Sequence, residues 1–107
     1  MDTIDKLKKN GVSLNFDEVI KICKKYNINE LSLFGSSIRD DFKETSDIDI
    51  LVSFDKNSEI SLFNIIELES EFVKLFGRDV DVVEKESLKN PIRKKIILSS
   101  REIIYAA

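Results

Sequence analysis

Two short apolar runs flank a long amphipathic stretch in the second half of the chain, and that pattern restricts the fold more than any other feature. Asp47-Ile48-Asp49-Ile50-Leu51-Val52-Ser53-Phe54 carries β-branched residues in its interior and is followed by the turn Asp55-Lys56-Asn57-Ser58, so it reads as a strand. Val80-Asp81-Val82-Val83 reads as a second, shorter one. Between them Leu62, Ile65, Ile66, Glu69, Phe72, Val73 and Phe76 recur at helical spacing. This predicts a helix whose stripe packs in the core, ended by Gly77 in the position of a left-handed cap.

The remaining segments extend the alternation. Asn15 is placed to cap a helix and Glu18, three residues on, to complete a capping box. Phe16, Val19, Ile20, Cys23 and Tyr26 form the apolar side of that helix, leaving Lys21, Lys24 and Lys25 outward. Asn27 and Asn29 interrupt the pattern, and Leu31-Ser32-Leu33-Phe34 reads as a short strand ending at Gly35. Residues 36–42 suit a short helix. Pro91 opens a last helix reaching about Leu98, with Asn90 as its cap. Ile103-Ile104-Tyr105 is either a closing strand or the end of that helix, and residues 1–12 are a short helix or a loosely held tail. Helices alternating with strands imply an α/β fold, a small sheet of three to four strands packed with helices. The link from residue 36 to 46 is short for a full crossover, so the sheet is expected to be mixed. With 107 residues, a single domain spanning 1–107 is expected.

Composition narrows the chemistry. A net charge of −3 argues against a protein that coats nucleic acid, and direct nucleic-acid binding is not expected. From Lys85 to Glu102 there are six basic residues against two acids, read as a solvated helix face that could touch an acidic partner. The single cysteine, Cys23, has no internal disulfide partner, which suits a reducing cytoplasm; its helical position makes it buried and inert. No histidine is present, which excludes Ser-His-Asp and Cys-His nucleophiles and His-ligated zinc. Any metal must therefore be held by oxygen. No apolar run reaches membrane-spanning length, so a soluble, cytoplasmic protein is expected.

The aspartates inside the strands are the chemical signal. Side chains alternate along a strand, so Asp47 and Asp49 share a face while Ile48 and Ile50 turn to the core. Carboxylates this close repel, and a bound dication removes the conflict. Magnesium suits the arrangement because it takes one or two protein carboxylates and completes its shell with water and phosphate oxygens. Asp81 repeats the setting, and neighbouring strands would place it beside the other two. Three carboxylates allow two metals about 3.5–4 Å apart, as phosphoryl transfer uses. Gly35-Ser36 lies at a strand-to-helix turn where the backbone can approach a phosphate closely. Arg39, one turn on, could meet another phosphate oxygen. The plainer readings are that Ser36 caps a helix, that Arg39 pairs with Asp40 or Asp41, and that Asp41 is a solvated helix residue.

Gly35-Ser36, nine intervening residues and then Ser46-Asp47-Ile48-Asp49 resemble the Gly-Ser…Asp-x-Asp signature of the DNA polymerase β-like nucleotidyltransferase superfamily, and most closely its minimal, MNT-type members. Gly77-Arg78-Asp79-Val80-Asp81-Val82-Val83 resembles the strand bearing the third carboxylate, and Arg101-Glu102-Ile103-Ile104-Tyr105 the usual C-terminus, so the likeness runs from about Phe16 to the end. Ile38 and Asp40 depart from the common Gly-Ser-x-Ala-Arg-Gly turn. The resemblance implies that Asp47, Asp49 and Asp81 hold two Mg²⁺ ions and that Gly35 and Ser36 hold the triphosphate of ATP. It also implies an antitoxin partnered with a helical HEPN toxin, an RNase, to which AMP is transferred at a tyrosine. Two alternatives stay open: a contact-only antitoxin with a vestigial site, and nucleotidyl transfer to RNA or a small molecule.

Overall fold

The structure, a computed structural model, describes residues 15–35 and 47–107. These form helix α1 (Phe16–Lys25), strands β1 (Ile28–Phe34) and β2 (Ile48–Phe54), helix α2 (Leu62–Phe76), strand β3 (Val80–Glu84), a 3₁₀ turn at Lys85–Ser87, helix α3 (Pro91–Ser100) and strand β4 (Glu102–Ala106). Residues 1–12, the expected helix over 36–42, and Ser36, Ile38, Arg39, Asp40 and Asp41 lie outside the described residues.

The four strands make one mixed sheet in the order β3-β2-β1-β4. β2 runs antiparallel to β1 and parallel to β3, and β4 closes the other edge antiparallel to β1. The short link after β1 thus joins antiparallel neighbours, while α2 provides the longer crossover that a parallel pair requires. The segment 103–105 resolves as strand: Arg101 ends α3 in extended geometry (φ −69°, ψ 152°), and the chain pairs with β1 at once.

Helix boundaries follow local chemistry. The Asn15 side chain accepts the Glu18 N–H, and Asn90 accepts those of Ile92 and Arg93 behind Pro91. Ser61 and Asn64 form a reciprocal capping box on α2. Gly77, at φ +67°, ends it. Asn27, at φ +55°, turns the chain out of α1, and β1 starts immediately after it, three residues earlier than the apolar run suggests. Asn is one of the few residues that adopts this conformation readily.

The main core lies between one sheet face and helices α1 and α2. Val19, Ile22, Cys23 and Tyr26 from α1 meet Leu68, Phe72 and Phe76 from α2 over Leu31, Leu33, Ile48, Ile50 and Val52. Truncating the fully buried Phe72 to alanine should cost about 3–5 kcal/mol. A smaller core on the other face joins Leu51, Leu88 and Ile97 with Phe34, Val83 and Leu98 beneath α3. β2 is therefore buried on both sides, which is why its sequence is nearly continuous in apolar residues.

Two helix faces differ from the expected ones. In α1 Ile22 is buried and Phe16 is 38% exposed. In α2 the buried stripe is Leu68, Phe72 and Phe76, whereas Leu62 and Ile66 are 74% and 56% exposed. At 3.6 residues per turn, Leu62 and Ile66 lie roughly a third to nearly half a turn away from Leu68. The helix is apolar over too wide an arc for periodicity to choose its inner side. The basic run also divides: Arg101 bonds Glu30, Lys85 lies 3.7 Å from the same carboxylate, and Lys89, Arg93, Lys94 and Lys95 stay exposed. Among the described residues no helix is long and apolar enough to cross a membrane.

Candidate active site

The parallel pairing of β2 with β3 sets Asp49 directly opposite Asp81. Partners in a parallel ladder point to the same face, on strands about 4.8 Å apart. Asp49 is half-buried and Asp81 exposed, so the pair opens outward from the sheet. Both occupy the face that carries Leu51 and Val83, since alternation sends Ile48, Ile50 and Val52 to the main core. The ladder begins at the same end, where the Ile48 N–H donates to the Asp79 carbonyl at 2.9 Å.

Gly35 completes this corner. It follows β1, whose Phe34 is the register partner of Asp49, and has φ +72°. A Cβ built on Gly35 would collide with Asp49 Oδ2 and lie 3.2 Å from its Cγ. The Gly-Ser motif and the Asp-x-Asp motif are therefore in contact through one carboxylate, and only glycine leaves room for it. The sequence pointed to Gly35 as a place of close backbone approach. Its neighbour could not be read locally, because the contact depends on the β1–β2 register.

Asp47 is exposed and precedes β2 by one residue. Among the described residues no group of three or more His, Cys, Asp or Glu side chains is gathered closely enough to hold a metal. The sheet register thus pairs Asp49 with Asp81, and Asp47 stands at the entrance to β2, two residues before Asp49. Ser36 and Arg39 lie outside the described residues. The donor set still fits a hard dication. All its donors are oxygens, and magnesium needs only one or two protein carboxylates when a substrate phosphate supplies the rest. A phosphate held on the Gly35 turn would lie against the Asp49 carboxylate, and two anions so close require positive charge between them.

Sequence reasoning did not anticipate the ion pair between Arg101 and Glu30, which ties the start of β4 to β1. Both side chains are largely buried. The two residues are 71 positions apart, and only the β1–β4 pairing reveals them as partners.

The sequence pattern of the nucleotidyltransferase domain matches residues 16–104. A Methanocaldococcus jannaschii protein provisionally named a protein adenylyltransferase is 38% identical over 105 residues, covering 98% of this chain and 99% of its own. The protein adenylyltransferase MntA of Thermococcus cleftensis is 42% identical over 82 residues, covering 77% of this chain and 78% of its own. Among solved structures, a complex of a tri-AMPylated Shewanella oneidensis HEPN toxin with its MNT antitoxin contains a chain of similar fold. The TM-score is 0.62 at 18% identity, over 94% of this chain and 73% of that one.

Proposed function

Because the chain belongs to the nucleotidyltransferase domain family, we propose that this enzyme transfers AMP from ATP to a hydroxyl, a tyrosine, of a helical HEPN-type toxin and so acts as its antitoxin. The observation that carries the reading is the facing of Asp49 and Asp81 beneath a glycine turn that touches Asp49. The names of the relatives and the AMPylated toxin in the similar complex support the choice of donor and acceptor.

In this reading the Gly35 turn, with Ser36, holds the triphosphate against the sheet end. Asp49 and Asp81, with Asp47, would hold Mg²⁺, which would supply charge neutralisation to the phosphates and the leaving pyrophosphate. The acceptor hydroxyl oxygen forms a bond to the α-phosphorus, the bond to the α–β bridging oxygen breaks, and pyrophosphate leaves. The hydroxyl proton passes to a carboxylate, in this reading that of the exposed Asp81, there being no histidine for the task. A pair of facing aspartates is costly for a sheet, since like charges on neighbouring strands destabilise the ladder. Its presence makes sense where a cation and phosphates are recruited.

The reading is tested by incubating the protein with ATP labelled at the α-phosphate and Mg²⁺, with and without the product of the neighbouring gene, beside an Asp49→Asn variant. Label on the partner that disappears in the variant is the expected result. Silencing of the partner by the variant, with label never transferred by either protein, would establish neutralisation by contact instead.

A further inference from the structure

We propose that the outer face of α3 is the docking surface for the acceptor protein, and that it receives a protein surface with an apolar centre ringed by carboxylates. Ile92 and Ile96, one turn apart on α3, are 73% and 61% exposed. Ile103 is 51% exposed on the neighbouring edge strand. Its register partner Ser32 pairs in turn with Leu51, so Ile103 stands on the same side of the sheet as α3. At helical spacing Arg93 and Lys95 flank the isoleucines, Lys89 precedes the helix, all three are exposed, and no acid occurs from Leu88 to Ser100. A chain with a net charge of −3 thus presents, among the described residues, an apolar strip on a helix that carries cations and no acid.

Position gives the strip its role. Ile97 and Leu98 seat α3 on Leu51 and Val83, the face that bears Asp49 and Asp81. β3 ends at Glu84, away from Asp81, and α3 then carries the chain back to Glu102, which pairs with Leu33 beside Phe34, the partner of Asp49. The helix therefore runs toward the carboxylates, and its full length is only about 15 Å. The other exposed apolar group, Leu62, Phe63 and Ile66, lies at the start of α2, at the opposite end and on the opposite layer. That group does not border the sheet face that bears Asp49 and Asp81.

The chemistry of the strip favours a protein over a nucleic acid. Isoleucine offers no ring on which a base can stack, whereas aromatic platforms dominate single-strand recognition. An apolar centre with a charged rim is the ordinary anatomy of a protein interface. The cations on the helix would also orient an acidic partner against the repulsion of the rest of the chain.

The inference rests on the reading of the site as a protein nucleotidyltransferase, and its test separates the two. The probe is the product of the neighbouring gene, presented to the full chain, to Ile92→Glu/Ile96→Glu and to Arg93→Glu/Lys95→Glu. All four positions are exposed, and circular dichroism with a thermal melt checks that both variants fold. Expected are a rise of about tenfold or more in acceptor KM and in calorimetric Kd, with ATP affinity and kcat at saturating acceptor unchanged. Unchanged KM and Kd in both folded variants would overturn the docking surface while leaving the transfer reading intact. Partner binding lost in the variants, with no label transferred even by the unaltered chain, would uphold the surface and overturn the transfer. Tight binding of a fluorescent single-stranded RNA that both variants abolish, with partner binding unaffected, would assign the strip to nucleic acid and overturn the proposal.

Discussion

Replacing Gly35 with alanine separates backbone geometry from the chemistry of the site, because the chain supplies its own control. Gly35 and Gly77 both have a positive φ of nearly the same size, +72° and +67°. A side chain in this region costs roughly 1–2 kcal/mol at either position. A Cβ on Gly77 meets nothing within 4 Å, whereas one on Gly35 runs into the Asp49 carboxylate. Gly77→Ala should therefore lose only the backbone term, lowering Tm by roughly 4–8 °C per kcal/mol, with transfer activity unchanged. Gly35→Ala should lose at least as much stability and also push the Asp49 carboxylate aside. A displacement of about 1 Å at a reacting centre lowers rate on the order of 100-fold, so kcat/KM for AMP transfer should fall by about that factor. Urea denaturation and transfer of α-labelled phosphate measure the two effects. In an Asp49→Ala background the extra stability cost of Gly35→Ala should vanish, leaving a loss equal to that of Gly77→Ala. If Gly35→Ala proved as active as Gly77→Ala, the proposed coupling between the glycine turn and Asp49 would be wrong.

Three further outcomes follow from the same structure. Asp81→Asn should stabilise the metal-free protein by about 0.2–1 kcal/mol by removing a like charge opposite Asp49, and should abolish the thermal stabilisation that Mg²⁺ with ATP gives the unaltered chain; equal shifts in both proteins would contradict it. Ser32 is fully buried and its Oγ has no hydrogen-bond partner among the described residues, so Ser32→Ala should be stabilising by about 1 kcal/mol in urea, and a loss of stability would show that the hydroxyl is satisfied in solution. Burial pushes the Cys23 thiol up from 9.0 to about 12. The thiol is neutral when protonated, so its contribution is intact below pH 9 and is lost between pH 9 and 12, where the unfolded chain ionises first. Stability should then fall more steeply above pH 9 in the unaltered chain than in Cys23→Ala, and parallel profiles would refute this.

Elements with one clean local signal were legible in the sequence. The limits Leu62 and Phe76 of α2 and the placing of Gly77 beyond it emerge as the spacing predicts. The β-branched runs around Asp49 and Asp81 form neighbouring strands, and the aspartates face each other. The mixed sheet follows from the short link after β1. What was not legible depends on long-range partners. α2 is apolar on more than one side, so only the packed sheet decides that Leu68 turns inward and Ile66 outward. Asn29 is a poor strand former on propensity, yet it lies in β1 because its carbonyl accepts the Ala107 N–H, a bond to the far end of the chain. The contact of Gly35 with Asp49 and the pairing of Arg101 with Glu30 likewise arise from register and have no local sequence signal.

The central claim, AMP transfer at the Asp49–Asp81 pair, is tested most directly by one comparison. The protein, its partner and Mg²⁺ are incubated with ATP labelled at either the α- or the γ-phosphate, beside Asp49→Asn and Asp81→Asn. The account predicts α-label on the partner, γ-label only in released pyrophosphate, and neither transfer nor release in the two variants. Appearance of γ-label on the partner, or α-label transferred undiminished by either variant, would contradict it.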